Sequence, residues 1–127
     1  ALFDSYTARD QAMSALRTMQ LRAMQMTSDT KCHKFIISSD LIAPPSPITD
    51  TNTCSSTANA AHNPDYLSVT LDSSRTDVTF DATFNEISFD DLGRPILDSG
   101  SCNITGCKIT VGEVAICISG EGAIYGC

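Results

Sequence analysis

Residues 12–26 read AMSALRTMQLRAMQM and contain all four methionines of this 127-residue chain. Apolar side chains recur there at intervals of three and four residues, which is the spacing of one helix face. The same periodicity extends back to Phe3, so the sequence predicts one helix from about Phe3 to Met26. Its main apolar stripe, which we expect to pack on a β-sheet, consists of Ala12, Leu16, Met19, Ala23 and Met26.

A second apolar set lies about 100° around the axis of the predicted helix from the first. Its members are Leu2, Tyr6, Met13 and Met24. Because a single sheet covers one stripe, the second set is available as an assembly face for another helix or subunit. Methionine suits such a face because its flexible thioether packs against varied partners. The pattern leaves open an ordinary helix in a more apolar core.

The rest of the chain, residues 28–127, has the pattern of antiparallel β-structure. Short apolar runs recur about every 8 to 12 residues between turn signals. The predicted strands are 34–38, 66–71, 77–80, 86–90, 108–111, 114–119 and 123–126. A hairpin turn is predicted at 120–122, where glycine supplies positive φ. The sequence therefore predicts a single α+β domain over 1–127, with a long helix (1–27) packed on an antiparallel β body (28–127).

One long segment of the β body, residues 40–65, has no periodicity. It contains three prolines and a run rich in Ser, Thr and Asn. A loop of this length is uncommon in a compact domain and usually either has a function or is tied down. We expect a long loop here, with Cys54 as its covalent tie.

Six cysteines form an even set without a C-x-x-C pair, so neither a redox motif nor a zinc ribbon is indicated. They predict disulfides and an oxidising compartment, which means periplasm, cell surface or medium. Buried free thiols and a thiolate-bound metal are the alternatives. Of the fifteen pairings that six cysteines allow, we favour those that close short local segments. These are Cys32–Cys54, Cys102–Cys107 and Cys117–Cys127.

The net charge of −7 is unevenly distributed along the chain. Residues 1–34 carry five basic and three acidic groups, whereas residues 35–127 carry three basic and twelve acidic groups. An acidic surface repels phosphate backbones, so we expect no nucleic-acid partner. Solubility explains this acidity better than a specific cationic partner does.

No constellation of residues indicates catalysis. His33 and His62 have no second ligand or triad partner at a recognisable spacing, and Ser119 does not lie in a G-x-S-x-G motif. The sequon NIT at 103–105 is too short a pattern to carry a conclusion. We therefore predict a protein that is not an enzyme, with no cofactor and no metal. The sequence identifies no small-molecule substrate.

The acidic segment DDLGRPILD, residues 90–98, lacks the spacing of an EF-hand loop. It predicts a β-turn with Gly93 at the bend and Arg94 paired with a neighbouring aspartate. A calcium site is the alternative.

Three segments together carry a family resemblance. The helix SALRTMQLRAMQ (14–25) precedes a β body that contains ISFDDLGRP (87–95) and ends in VAICISGEGAIYGC (114–127). The chain resembles the GspH/FimT group of minor pilins and pseudopilins, and within it the MSHA-type minor pilins. The resemblance implies a pilin-like domain, in which a long helix packs on two antiparallel sheets.

The resemblance also implies a function and a location. Family members carry a signal cleaved by a prepilin peptidase, and then an apolar helix segment that anchors the subunit in the inner membrane. Neither segment is present here, so we expect this chain to be the soluble periplasmic part, later exported in an extracellular pilus. The implied role is to initiate or cap a type IV pilus involved in attachment, or a type II secretion-like filament. Its partners would be other pilin subunits, contacted through the helix, and the inner membrane.

The chain departs from some relatives in one respect, and a second class of protein competes with the resemblance. In DNA-uptake relatives a basic tail beyond a Gly-Arg motif binds DNA, whereas here Gly93 and Arg94 lie among acidic residues and the chain stops at Cys127. We therefore expect that the DNA binding of those relatives does not carry over. The competing class is a free secreted adhesin or lectin, stapled by disulfides, with 40–65 as its recognition surface. An apolar segment encoded before Ala1 would distinguish the two.

Overall fold

One long helix and eleven short strands make up the part of the chain that the structure describes. The computed structural model describes residues 2–25, 34–48, 53–58, 68–72, 74, 77–100, 102 and 105–127, with backbone alone for 2–3, 45–48 and 53–58. The helix, α1, spans Leu2–Gln25 and agrees with the predicted helix as far as the described residues reach. Asp4 in its first turn and Arg22 in its last turn complement the helix dipole.

The strands form two antiparallel sheets and a separate hairpin. In chain order they are β1 (Lys34–Ile37), β2 (Leu41–Ala43), β3 (Pro45–Ile48), β4 (Thr53–Ala58), β5 (Val69–Thr70), β6 (Phe80–Asp81), β7 (Glu86–Phe89), β8 (Pro95–Leu97), β9 (Cys107–Val111), β10 (Val114–Ile118) and β11 (Ile124–Gly126). The first sheet has the order β5-β2-β1-β7-β8 and the second β11-β10-β9-β6. Strands β3 and β4 form the hairpin.

The strand register turns the apolar residues of both sheets toward a shared core. Phe35 lies opposite Ile87 in the first sheet, and Ile109 lies opposite Ile116 in the second. All four side chains are fully buried. A slip of one residue would turn each of these side chains to the other face of its sheet. Burial therefore specifies the register.

Helix α1 lies across both sheets and closes the core. It contacts β5 and β7 of the first sheet and β9, β10 and β11 of the second. Its buried face contains Ala8, Ala12 and Ala15, small side chains that let the helix approach the sheets closely. The observed α+β architecture is the predicted one, a long N-terminal helix packed on two antiparallel sheets.

The prediction of one long loop over 40–65 is wrong in the part of this segment that the structure describes. Strand β2 pairs with β1 and β5, and β3 pairs with β4. The prolines concealed these strands, since Pro is tolerated at the first residue of a strand and at bulges. Pro45 begins β3, and the register shifts between Pro45 and Pro47.

The remaining strand predictions are correct to different degrees. Five of them, β1, β7, β9, β10 and β11, agree with the structure within one residue at each end. The strand predicted at 77–80 is the two-residue β6, and of the strand predicted at 66–71 the described part contains β5. Strand β8 was not predicted, because Pro95 at its first position reads as a turn signal.

Candidate functional site

Helix α1 presents two chemically different sides, and the first is its buried stripe. Ala12 and Leu16 are 0% exposed and Met19 is 2% exposed. Ala23 is partly buried and packs against the core, while Met26 lies outside the described residues. Ser5 belongs to the same face and is buried, and its Oγ accepts a hydrogen bond of 3.3 Å from the Glu113 amide. This contact joins the first turns of α1 to the β9–β10 turn.

Gln20 anchors the C-terminal half of the helix to two turns at once. Its Nε2 donates to the carbonyl oxygens of Gly93, at 2.8 Å, and Gly122, at 2.6 Å. Both glycines have positive φ, 83° and 104°. A Cβ on Gly122 would overlap the carbonyl oxygen of Gly93, so only glycine allows the two turns to meet under the helix.

Two arginines extend this attachment toward the N-terminus of α1, Arg17 by a hydrogen bond and Arg9 by packing. Arg17 donates from Nη2 to the carbonyl oxygen of Ile124 in β11, at 2.6 Å. The guanidinium of Arg9 lies against the backbone at Gly126 and over the Tyr6 ring, with Cζ 4.8 Å from the ring centroid. The last strand of the chain is therefore held against one flank of the helix.

The predicted assembly face lies along this same flank. Tyr6 is 43% exposed and Met24 is 50% exposed. Met13 is partly buried against the core, and the side chain of Leu2 lies outside the described part. Leu21, which was not part of the predicted assembly face, is 54% exposed. The flank thus carries large apolar groups in contact with solvent near both ends of the helix.

The acidic segment 90–98 forms the predicted turn. The Asp90 carboxylate accepts hydrogen bonds from the Leu92 amide, the Arg94 amide and Arg94 Nε, at 3.0, 2.8 and 2.9 Å. Burial raises the pKa of Asp90, but these hydrogen bonds outweigh it and place the pKa below its ordinary value. The Asp98 carboxylate accepts hydrogen bonds from the backbone amides of Asn85 and Glu86, both at 2.9 Å. Both carboxylates are therefore engaged in holding the backbone.

Two of the three favoured disulfides are present. Cys102 is bonded to Cys107, and Cys117 to Cys127. Cys32 and the side chain of Cys54 lie outside the described residues. The observed bridges are typical of proteins in oxidising, extracytoplasmic compartments.

The other residues considered for chemistry are placed as follows. His33, His62 and Asn103 of the sequon lie outside the described residues. Ser119 Oγ accepts a hydrogen bond of 3.0 Å from the Ala123 amide and so stabilises the β10–β11 turn. Across the described ranges, no group of three or more His, Cys, Asp or Glu side chains could hold a metal ion.

Comparison with known proteins adds no relative. The chain matches no protein-family model, no curated protein and no solved structure. In the described part of the chain, no helix has both the length and the apolar character needed to cross a membrane.

Sequence reasoning missed Arg17 and Gln20, the residues that attach the helix to the turns. Their partners are carbonyl oxygens, which every residue has, and they lie more than 70 positions away along the chain. The sequence indicated only the turns themselves, because their glycines predicted a bend at Gly93 and another at 120–122.

Proposed function

We propose that this chain is the periplasmic head of a minor pilin or pseudopilin, a subunit without enzymatic activity that initiates or caps a pilus-like filament. The resemblance of its helix, its GRP segment and its C-terminal hairpin to the MSHA-type members of the GspH/FimT group suggests the role. In that role the helix would be the element through which neighbouring subunits meet.

The observation that carries the proposal is the division of α1 into a buried stripe and an apolar flank that stays exposed. At about 1.5 Å per residue, 24 residues make a helix about 36 Å long. Outside the core stripe, Tyr6, Leu21 and Met24 are each about half exposed. Removing such side chains from water stabilises an interface by about 25 cal/mol per Å².

The rigid seating of the helix supports the same role. Gln20, Arg17 and Arg9 fix the helix to the last hairpin, so the exposed flank keeps a defined orientation relative to the β body. An interface between two different faces of identical or similar subunits generates helical filaments rather than closed rings when the rotation does not close. A fixed flank is what such repeated packing requires.

The experiment places a negative charge on the exposed flank of the full-length protein. We expect Tyr6→Glu and Met24→Glu to abolish or strongly reduce surface filaments, counted by electron microscopy and by shearing. Gln11→Glu is the matched control, since Gln11 is also exposed on α1 but lies on the opposite flank. It should leave filaments at the wild-type level.

Stability must be measured in parallel, because a misfolded subunit would also fail to assemble. In the chain 1–127, Tyr6→Glu should cost about 1 kcal/mol or less of unfolding free energy, the size of the contact with Arg9 that it removes. Normal filaments with both charged variants would refute the assembly role and favour the free secreted binding module instead.

A further inference from the structure

A row of three residues crosses the outer face of the second sheet. Lys108 on β9 is the register partner of Cys117 on β10, and Cys117 is the partner of Tyr125 on β11. Register partners point to the same side of a sheet, and successive residues of a strand alternate between sides. The neighbouring pair Ile109 and Ile116 is buried, so the row lies on the face away from the core.

Two adjoining depressions share Tyr125, at one end of this row. One has a volume of about 390 Å³ and is lined by Lys108, Cys117 and Tyr125 together with Leu97 and Ser99. The other has a volume of about 580 Å³ and is lined by Arg94 and Glu121 among others. Tyr125, Thr105 and Gly106 line both. We call the two together the Tyr125 groove; each half has the size of a small-ligand site.

The Tyr125 groove contains most of the basic side chains of an otherwise acidic body. Residues 35–127 contain three basic and twelve acidic side chains, and two of those three, Arg94 and Lys108, line this groove. Glu121 is the acidic side chain that lines it. Arg94 is paired with Asp90, whereas Lys108 is exposed and has no carboxylate partner among the described residues. An anionic group would therefore meet an available ammonium.

Both described disulfides stabilise the walls of the groove. The Cys117–Cys127 bridge ties β11, which carries Tyr125, to β10. The Cys102–Cys107 bridge closes the short loop that carries Thr105 and Gly106. Walls held by covalent bonds lose little conformational freedom when a ligand binds, so less of the interaction free energy is spent on ordering. The groove is preorganised.

We infer that the Tyr125 groove binds a short acidic oligosaccharide, one whose sugars carry carboxylates. The half-exposed Tyr125 ring offers an apolar face for the C–H face of a sugar and a hydroxyl for its polar edge. Lys108 would pair with a carboxylate about 10 Å away from that ring, at two interstrand spacings. Thr83, Ser99, Thr105 and Ser119 add hydroxyls that both donate and accept, as sugar hydroxyls do.

The same lining argues against two other classes of ligand. Protein and peptide anchors need apolar pockets for large side chains, whereas most residues that line the groove are Ser, Thr, Gly or charged, beside Leu97 and Ile118. Nucleic acid needs many basic side chains to neutralise phosphates, and the groove has two. A ligand with few charges and many hydroxyls fits best.

The test is a titration of the chain 1–127 with trigalacturonate, followed by ¹H–¹⁵N NMR, with maltotriose as the neutral control of equal length. We expect trigalacturonate to bind with a Kd of about 1 mM or tighter and to shift the amide signals of Lys108, Cys117, Tyr125 and Thr105. Maltotriose should bind at least about tenfold more weakly, since it lacks the charge-assisted contact.

Three variants locate the site. Lys108→Gln should weaken binding of trigalacturonate about tenfold, whereas Lys108→Arg should retain it. Tyr125→Ala should weaken binding severalfold, while Leu21→Ala, which removes another half-exposed large side chain from α1, outside the lining of the groove, should have no effect. A ¹H–¹⁵N spectrum of each variant without ligand verifies that it is folded.

Several outcomes would overturn the inference. They are the absence of signal shifts with trigalacturonate, equal affinity for maltotriose, and equal affinity for a tri-aspartate peptide, which would show a carboxylate site that is not specific for sugars. The inference goes beyond the assembly role and is tested on the isolated chain. Its failure would leave the filament experiment unaffected, and the reverse also holds.

Discussion

Replacement of Gln20 by Ala tests whether the two turns beneath the helix depend on one amide group. The change removes both hydrogen bonds of Nε2, to Gly93 O and Gly122 O. A typical hydrogen bond contributes about 1 kcal/mol net. Both bonds are partly buried, so solvent can reach the carbonyl oxygens that are left without a donor. We therefore expect a loss of about 2 kcal/mol.

That loss is large enough to measure in two ways. Unfolding entropy is about 2.1 cal/mol/K per residue, or about 0.27 kcal/mol/K for this chain, so Tm should fall by about 7 °C. Urea titration monitored by far-UV circular dichroism, with the disulfides kept oxidised, should give the same free energy. Gln20→Glu should cost more than Gln20→Ala, because a carboxylate has no proton to donate and faces two carbonyl oxygens.

Gln11→Ala is the matched control for this prediction. It changes the same side chain on the same helix, but at an exposed position, and should stay within about 0.5 kcal/mol of wild type. If Gln20→Ala were no more destabilising than Gln11→Ala, the hydrogen bonds of Gln20 to the turns would make no measurable contribution to stability. The fixed orientation of the exposed flank would then need another explanation.

Three further predictions concern stability. Leu16→Ala should lower the free energy of unfolding by about 2 to 5 kcal/mol in urea titration, because removal of this fully buried side chain leaves a cavity. A loss no larger than that of an alanine substitution at an exposed helix position would contradict the buried packing of Leu16. The lowered Asp90 pKa stabilises the fold above the unfolded value of about 3.9, and this contribution is lost as the pH falls through the folded pKa. Asp90→Asn should therefore reduce stability at neutral pH and flatten its dependence below pH 4 or so. Opening the second bridge by Cys117→Ser with Cys127→Ser should cost about 2 to 4 kcal/mol, and two or more free thiols in the denatured, unreduced wild type would disprove three disulfides.

The helix could be predicted from sequence because its signal is local. Ala12, Leu16 and Met19 repeat at helical spacing, and the same three residues are buried in the structure. The hairpin over β3 and β4 could not be predicted in this way. Its strands begin with Pro45 and are rich in Ser and Thr, so their pairing is decided by contact with each other and with β1 and β2 rather than by alternation. Local propensity is a weak guide where tertiary contacts decide.

The Tyr125 groove lies between these two cases. A two-residue turn at 112–113 sets Val111 opposite Val114 and hence Lys108 opposite Cys117, and the glycine turn at 120–122 sets Cys117 opposite Tyr125. Because turn length fixes register in a hairpin, the row across the sheet follows from two turns that the sequence displays. The other wall does not follow, since Leu97 and Arg94 come from the first sheet and its turn. The relative placement of the two sheets is set by the core beneath α1, so the row could be derived from sequence while the groove required the fold.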